Sequence, residues 1–300
     1  MLNYIKKGGN KMDFLEYIKN NNVTLLDGAM GTELKKRDIM GNFKNNLENQ
    51  EIVKEIHQSY IKAGSNAIIT NTFSMNSLYL ESKGVDLDIE LINKKGVEIA
   101  KKVAGEDVFV LGDISSTGKL LKPYGTHEES EFIKVYKEKA KILDESGVDA
   151  FIIETMVDLR EAVCALKACK EVSDLPVIVS ISFDRVENGG RTVMGNTVKE
   201  VVENLSRAGA DVIGTNCGSL SPKQMAEIVK MMKAETNLPI MVEPNAGQPK
   251  LKGEETVYDM PPTQFTAGIL ACIDAGANIV GGCCGTGPEH IEDLSRALFK

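Results

Sequence analysis

Apolar positions along this chain follow two alternating rhythms. Short runs in which nearly every residue is apolar or small recur eight times: "VTLLDG" from Val23, "NAIITNT" from Asn66, "VFVLGD" from Val108, "DAFIIET" from Asp149, "PVIVSISFD" from Pro176, "DVIGTNC" from Asp211, "PIMVEPN" from Pro239 and "NIVGGCC" from Asn278. A continuous run predicts a strand buried on both faces, the habit of a parallel sheet covered by helices. Between the runs lie stretches such as "ESEFIKVYKEKAKILDES" and "PKQMAEIVKMMKAET", whose apolar residues recur at helical spacing. Gly64, Gly147, Gly209 and Gly276 each stand just before a run, where a left-handed helix C-cap is expected. Eight strand–helix units in 300 residues predict a single (β/α)8 TIM barrel, which takes about 250 residues plus insertions. An open doubly wound sheet fits less well, because "LLDGAMGTEL" is a poor match to a dinucleotide-binding turn.

The connections carry a second signal. Segments entering the runs are brief, whereas those leaving them are long, as in "SFDRVENGGRTVMGN", "DISSTGKLLKPYGTHEE" and "PNAGQPKLKGEETVYDMPPTQF". In a barrel the segments leaving the strands form the face where chemistry gathers. A repeat is also visible. Seven residues after each of the four glycines stand Asn71, Glu154, Asn216 and Cys283. These copies fall on the second, fourth, sixth and eighth runs, and alternate barrel strands feed the same layer. Asn71, Glu154, Asn216 and Cys283 should therefore share one level near the rim, with Thr72, Thr155, Cys217 and Cys284 forming the next step.

Composition narrows the function classes. A net charge of −8 and a pI of about 5.2 argue against a nucleic-acid partner. Lysines in helical stretches such as "KVYKEKAKIL" read as a solvated face. No run approaches the roughly 20 apolar residues that span a bilayer, so no membrane association is expected. Without a signal-peptide pattern at the start, a cytoplasmic location is the expectation. Six cysteines then read as reduced thiols. Residues 1–12 are expected to be a flexible leader, with Met12 an alternative start, and residues 13–300 one barrel domain.

The polar residues at the strand exits suggest a chemistry. Cys217, Cys283 and Cys284 lie in two glycine-flanked segments, "GTNCG" and "GGCCG". Thiolate sulfur suits zinc, and three protein ligands leave the fourth tetrahedral position open, as in a catalytic site. Three alternatives stay open from the residues alone: small buried filler, a redox pair at Cys283 and Cys284, or a phosphate cradle at "GGCCGTGPEHI". Three thiolates around a divalent ion carry net charge −1. Such a centre suits binding an incoming thiol and lowering its pKa from about 8.5, which favours alkyl transfer to sulfur. Asp27, Asp113, Glu154 and Glu243 would ring the mouth with negative charge and suit an ammonium group. Backbone N–H groups from Gly28 onward, in "DGAMGTE", would suit an amino-acid carboxylate. The substrate-binding candidates are thus Asp27, Gly28, Asn71, Asp113 and Glu154; each acid has a helix cap or salt bridge as its plainer role, except Glu154, which occupies the repeat position filled elsewhere by Asn71, Asn216 and Cys283. Cys164, Cys169 and Cys272 read as apolar helix-face residues.

As a set, "LLDGAMGTEL", "ITNTFSMN", "GDISSTG", "FIIETMVDLREA", "GTNCGSLSP", "VEPNAGQP" and "GGCCGTGPEHI" resemble the homocysteine S-methyltransferase domain, from about Val23 to Phe299. The wording "VEPNAGQPKLKGEETVYDMPPTQF" is most similar to the N-terminal homocysteine-binding module of cobalamin-dependent methionine synthases. The resemblance implies a zinc ion (Zn2+) on Cys217, Cys283 and Cys284, with the sulfur of L-homocysteine as fourth ligand. It implies that Glu154 and Asp27 hold the substrate's amino group, that backbone from Gly28 helps with its carboxylate, and that Asn245 occupies the open zinc position when substrate is absent. The implied reaction is methyl transfer to the homocysteine thiolate, giving L-methionine. The sequence ends at Lys300 without the folate, cobalamin and reactivation domains of those enzymes. The expected donor is therefore methylcobalamin on a separate corrinoid protein or methyltransferase partner. The alternatives are S-methylmethionine, S-adenosylmethionine or betaine as donor, or a non-catalytic homocysteine-binding subunit.

Overall fold

The computed structural model describes residues 6–7, 10–39, 43–253 and 255–299. Each apolar run forms a strand: β1 (Thr24–Leu25), β2 (Ala67–Ile69), β3 (Phe109–Ile114), β4 (Ala150–Met156), β5 (Val177–Ile181), β6 (Val212–Asn216), β7 (Ile240–Glu243) and β8 (Ile279–Val280). All neighbouring pairs are parallel, in the order β1-β8-β7-β6-β5-β4-β3-β2. A crossover helix follows each strand, from Gln50–Ala63 after β1 to Pro288–Leu298 after β8. This is the expected (β/α)8 barrel.

The seam between β1 and β2 closes partly through side chains. Asn66 N donates to Leu25 O at 2.7 Å, and Leu25 N donates to Asn66 Oδ1 at 2.9 Å. One step higher, Ile69 N donates to Asp27 Oδ2 at 3.1 Å. A carboxylate thus stands where a strand carbonyl would, so closure and the position of Asp27 are one feature.

Alternation along the strands divides the core. Leu26, Phe109, Leu111, Ile152, Ile178 and Met241 point into the barrel, while Val110, Ile153, Val179, Ile213 and Val242 pack against the helices. Phe14, Tyr17 and Ile18, on the helix Phe14–Asn20, plug the floor. The rings of Phe14 and Tyr17 meet Phe109 edge-on at 5.1 and 5.2 Å. With the floor filled, the site is open at the opposite, C-terminal face.

The expected leader, residues 1–12, lies partly outside the described residues. Within it Lys6–Lys7 pairs antiparallel with Asn10–Lys11. Lys11 Nζ reaches Asp149 Oδ2 at 2.7 Å and Val108 O at 3.0 Å, which ties this end of the chain to the entrances of β3 and β4. Among the described residues no helix is long and apolar enough to cross a membrane.

The four repeat glycines are left-handed, with φ of 113°, 82°, 93° and 115° at Gly64, Gly147, Gly209 and Gly276. Each ends a helix, where a Cβ would be strained. The fixed interval from each glycine to its strand tip follows from this common cap.

Candidate functional site

The cysteine sulfurs meet at the barrel mouth. Cys217 follows the last residue of β6, and Cys283 and Cys284 follow β8. Their three sulfurs lie within 4.8 Å of one another, with Cys217 Sγ and Cys284 Sγ 3.9 Å apart. Zinc–sulfur bonds of about 2.3 Å in a tetrahedron place sulfurs about 3.8 Å apart, so the donor set and spacing fit one divalent ion. Cys217 holds φ at 56°, a left-handed conformation that costs a non-glycine residue roughly 1 kcal/mol. Thr155, its repeat equivalent on β4, does the same at 55°. Such strain is retained where it aims a side chain.

Close packing fixes the second cysteine segment. Thr286 Oγ1 donates to Cys283 O at 2.7 Å and accepts from Ala29 N at 3.1 Å. Tyr60 Oη shares its one proton between Ala29 O at 3.1 Å and Thr286 O at 3.2 Å, and Gly285 N donates to Thr32 Oγ1 at 2.9 Å. A Cβ on Gly282 would stand 2.6 Å from Thr286 Oγ1, so this turn excludes any side chain. The segments "DGAMGTE" and "GGCCGTG" are therefore one braced unit.

Contacts among the sulfurs make the three thiols titrate as one set, with Cys217 and Cys283 raised and Cys284 lowered. The side chains of Cys217 and Cys283 and the hydroxyl of Tyr258 bond to Cys284 and hold its pKa well below the ordinary thiol value. Asn245 Nδ2 donates to Gly218 O at 2.8 Å, whereas its Oδ1 is buried with no protein partner. Cys283 N donates to Pro244 O, and Ala246 N donates to Cys284 O. These bonds place Asn245 between the two cysteine segments with a spare buried oxygen, as a further metal ligand would need.

The repeat's level is present in three of its four members. Asn216 Nδ2 donates to Glu154 Oε2 and Thr155 Oγ1, both at 2.8 Å, and lies 3.9 Å from Cys283 Sγ. Asn71 departs from the expected level. The chain turns immediately after β2, with Thr72 N donating to Thr70 O, and Asn71 Nδ2 is engaged by Asn46 Oδ1 at 2.8 Å. Asn71 still lines the cavity. Thr72 likewise leaves its expected step, bonding Thr70 Oγ1 and Asp113 O.

Asp27, Asp113, Glu154 and Glu243 line the same mouth. Loss of solvent pushes all four carboxyls up, Glu154 to about 7 with the nearby Cys284 sulfur adding to the shift. Asp113 Oδ1 and Glu243 Oε1 are buried without a protein partner. Glu161 shows what a satisfied buried acid looks like in this fold. It accepts from Thr117 N, Thr117 Oγ1, Ser116 Oγ and Tyr136 Oη. The mouth acids keep spare acceptor capacity facing a cavity of about 1080 Å3. Gly28 lies at the rim, with no room for a Cβ between Thr286 and Tyr60. The helix Met30–Lys35 begins just beyond it, and its first turn lines the cavity.

Two residues here escape the sequence reading. Tyr258 follows the hairpin Lys250–Lys252/Glu255–Val257, and nothing in its local pattern marks it. Lys139 corrects the solvated-face reading of "KVYKEKAKIL": it is 0% exposed, on the same helix face as Phe132, Tyr136, Ala140 and Leu143. The helical period places Lys139 on that stripe, and this was the available signal. Cys164, Cys169 and Cys272 are buried in the helix layer, away from the mouth.

The profile of the homocysteine S-methyltransferase family matches residues 24–298. The methionine synthase of Mycobacterium tuberculosis is 30% identical over 308 aligned positions, covering 95% of this chain and 25% of that protein. The methionine synthase of Mycobacterium leprae is 29% identical, with 96% and 25% covered. The chain thus spans about a quarter of the length of these curated relatives. Among solved structures, the metallated form of the homocysteine methyltransferase MmuM from Escherichia coli shares the fold. It has a TM-score of 0.78 and 22% identity, with 94% of this chain and 98% of that chain covered. The carboxyl transferase domain of Rhizobium etli pyruvate carboxylase is a more distant likeness, at a TM-score of 0.56 and 14% identity. With a family profile running almost end to end, this barrel belongs to the homocysteine S-methyltransferase family.

Proposed function

We propose that this protein is a zinc-dependent methyltransferase that converts L-homocysteine to L-methionine. The observation that carries the reading is three cysteine sulfurs within 4.8 Å of one another, in a mouth lined by the buried carboxyls of Asp27, Asp113 and Glu243 and the half-buried carboxyl of Glu154. The sulfurs suit a thiophilic ion, and the acids suit an α-ammonium group. Cys217, Cys283 and Cys284 would hold zinc, with Asn245 Oδ1 as the ligand that yields to substrate. Zinc so held supplies one thing: it lowers the pKa of a bound thiol, so that homocysteine presents a thiolate at neutral pH.

The chain's own groups do the rest. Asp27, Asp113 and Glu154 bind the ammonium group, and the spare oxygens of Asp113 and Glu243 face it. The first turn of Met30–Lys35 and the close backbone at Gly28 receive the carboxylate. Asn71 Oδ1 remains free to accept from substrate while its Nδ2 is held by Asn46. Tyr258 and the packed glycines around Thr286 keep the Cys284 sulfur in one place. The filled floor excludes water from below, so the thiolate meets its methyl donor only from the open rim.

For the donor we favour a methylcorrinoid, methylcobalamin carried by a separate corrinoid protein. Two points support it: the methionine synthase relatives, and a cavity of about 1080 Å3, much larger than a small amino acid needs. The deciding experiment offers the reduced, zinc-loaded protein L-homocysteine with methylcobalamin, S-methylmethionine, S-adenosylmethionine or betaine, and measures methionine. Turnover with methylcobalamin alone is expected. Turnover with a sulfonium or betaine instead would replace the corrinoid reading. Homocysteine binding without turnover on any donor would leave a binding subunit.

A further inference from the structure

His290 makes a bond that capping its own helix does not require. It stands in the first turn of the helix Pro288–Leu298 and is only 5% exposed. Nδ1 accepts from Gly287 N at 3.2 Å, which caps the helix and leaves the ring proton on Nε2. A glutamine here would cap as well. Nε2, however, donates at 2.9 Å to Met260 O, on a segment far earlier in the chain. A ring with nitrogens on two edges serves both partners at once. Phe265 meets it edge-on at 5.5 Å and holds its plane.

The distant bond closes a circuit around the cysteine turn. Met260 N donates to Ala246 O at 3.1 Å, Ala246 N donates to Cys284 O at 2.9 Å, and Cys283 N donates to Pro244 O at 2.9 Å. From Cys284 the chain itself returns to Gly287 and His290. Three segments are thereby held as one: the β7 exit with Asn245, the β8 exit with its two cysteines, and the root of the hairpin Lys250–Lys252/Glu255–Val257. Tyr258 stands at that root, packed so closely on Gly285 that no Cβ fits there. Its hydroxyl bonds to Cys284. Without the imidazole the root keeps its tie to Ala246 but loses the one to the helix after β8.

We propose that His290 is a positioning residue for the sulfur centre: its bond to Met260 O sets Tyr258 and the Asn245 segment against Cys283 and Cys284. A helix cap alone would use Nδ1 and leave Nε2 idle. Coupling of this kind is reciprocal, so if the circuit steadies the metal ligands, the metal steadies the circuit.

The inference rests on the reading of this mouth as a zinc site. Two variants separate the ring nitrogens. His290→Asn puts an acceptor near the Nδ1 position and cannot reach Met260, whereas His290→Gln extends an amide N–H to the Nε2 position. Zinc affinity is measured against a competing chelator, and the arrangement of the sulfurs by the absorption bands of the cobalt(II)-substituted protein. His290→Asn is expected to lose zinc affinity by about tenfold or more and to shift the thiolate–cobalt bands. His290→Gln should stay close to wild type in both. Wild-type affinity and bands in His290→Asn, even with a lower Tm, mean a helix cap and overturn the proposal, as do equal losses in the two variants. Should His290→Asn not fold, NMR on the wild-type protein decides. Chelating the zinc should speed solvent exchange of the His290 Nε2–H, and an exchange rate indifferent to zinc overturns the proposal. Failure of the wild-type protein to bind zinc at all would instead overturn the functional reading.

Discussion

Asn216 Nδ2 donates to Glu154 Oε2 at 2.8 Å and stands 3.9 Å from Cys283 Sγ. One buried amide therefore joins the acid proposed to hold the substrate's amino group to a sulfur proposed to hold the metal. Its Oδ1 is equally engaged, accepting from Thr155 N at 2.9 Å and Ser180 Oγ at 2.7 Å. The orientation is over-determined, and groups that orient metal ligands this way usually matter nearly as much as the ligands.

Asn216→Ala should therefore weaken both functions while the barrel remains folded. Zinc affinity, measured against a competing chelator, is expected to fall about 10- to 100-fold, with a rise in KM for homocysteine. Unchanged values for both would show that the amide only fills space.

Removal of single cysteines should divide the six into two classes. Cys217→Ala, Cys283→Ala and Cys284→Ala are each expected to lose stoichiometric zinc, with affinity down about a hundredfold or more, and to lose turnover. Cys164→Ala, Cys169→Ala and Cys272→Ala should keep zinc and lose only about 1 kcal/mol of stability from core packing. Elemental analysis of the purified variants reads the first difference, and urea unfolding the second.

Glu154 provides a pH-dependent test. Burial raises its folded-state pKa to about 7, above the ordinary 4.5, so the folded protein prefers the protonated acid. Stability from this group is fully present below about 4.5 and is lost as pH rises through 7. Glu154→Gln keeps an oxygen for Asn216 and Thr155 and removes the charge. It should stabilise the protein at pH 8 by on the order of 2 kcal/mol, with little gain at pH 5. Homocysteine kcat/KM should fall at the same time, since the variant lacks an anionic partner for the ammonium group. Thermal melts at the two pH values check the sign.

Gly282→Ala should be disruptive despite adding one methyl group. The new Cβ would lie 2.6 Å from Thr286 Oγ1, whose hydrogen bonds tie the β8 exit to Ala29. A loss of about 1–3 kcal/mol is expected, accompanied by weaker zinc binding. Equal stability would mean that Thr286 can move without cost.

Much of the architecture is legible in the amino-acid sequence. Continuous apolar runs can be buried only between two layers, and eight of them alternating with amphipathic helices leave few solutions other than the barrel. The helix-cap glycines set a constant distance to the strand tips, which is why Glu154, Asn216 and Cys283 meet as the repeat predicts. Asn71 failed the same rule because β2 is followed by a turn at Thr70–Thr72 that no spacing argument contains.

By itself the sequence determined the strands, the grouping of three cysteines and the face of the barrel on which they gather. Each of these depends on periodicity and local backbone preference, which act over a few residues. Tertiary structure decided the rest. It placed Asp27 across the β1–β2 seam, braced the cysteine turn through Thr286 and Tyr60, and buried Lys139, on an apparently solvated helix, against the Thr72 carbonyl at the exit of β2. Those outcomes arise from contacts between segments far apart in the chain, where close packing and the cost of burying charge select the arrangement.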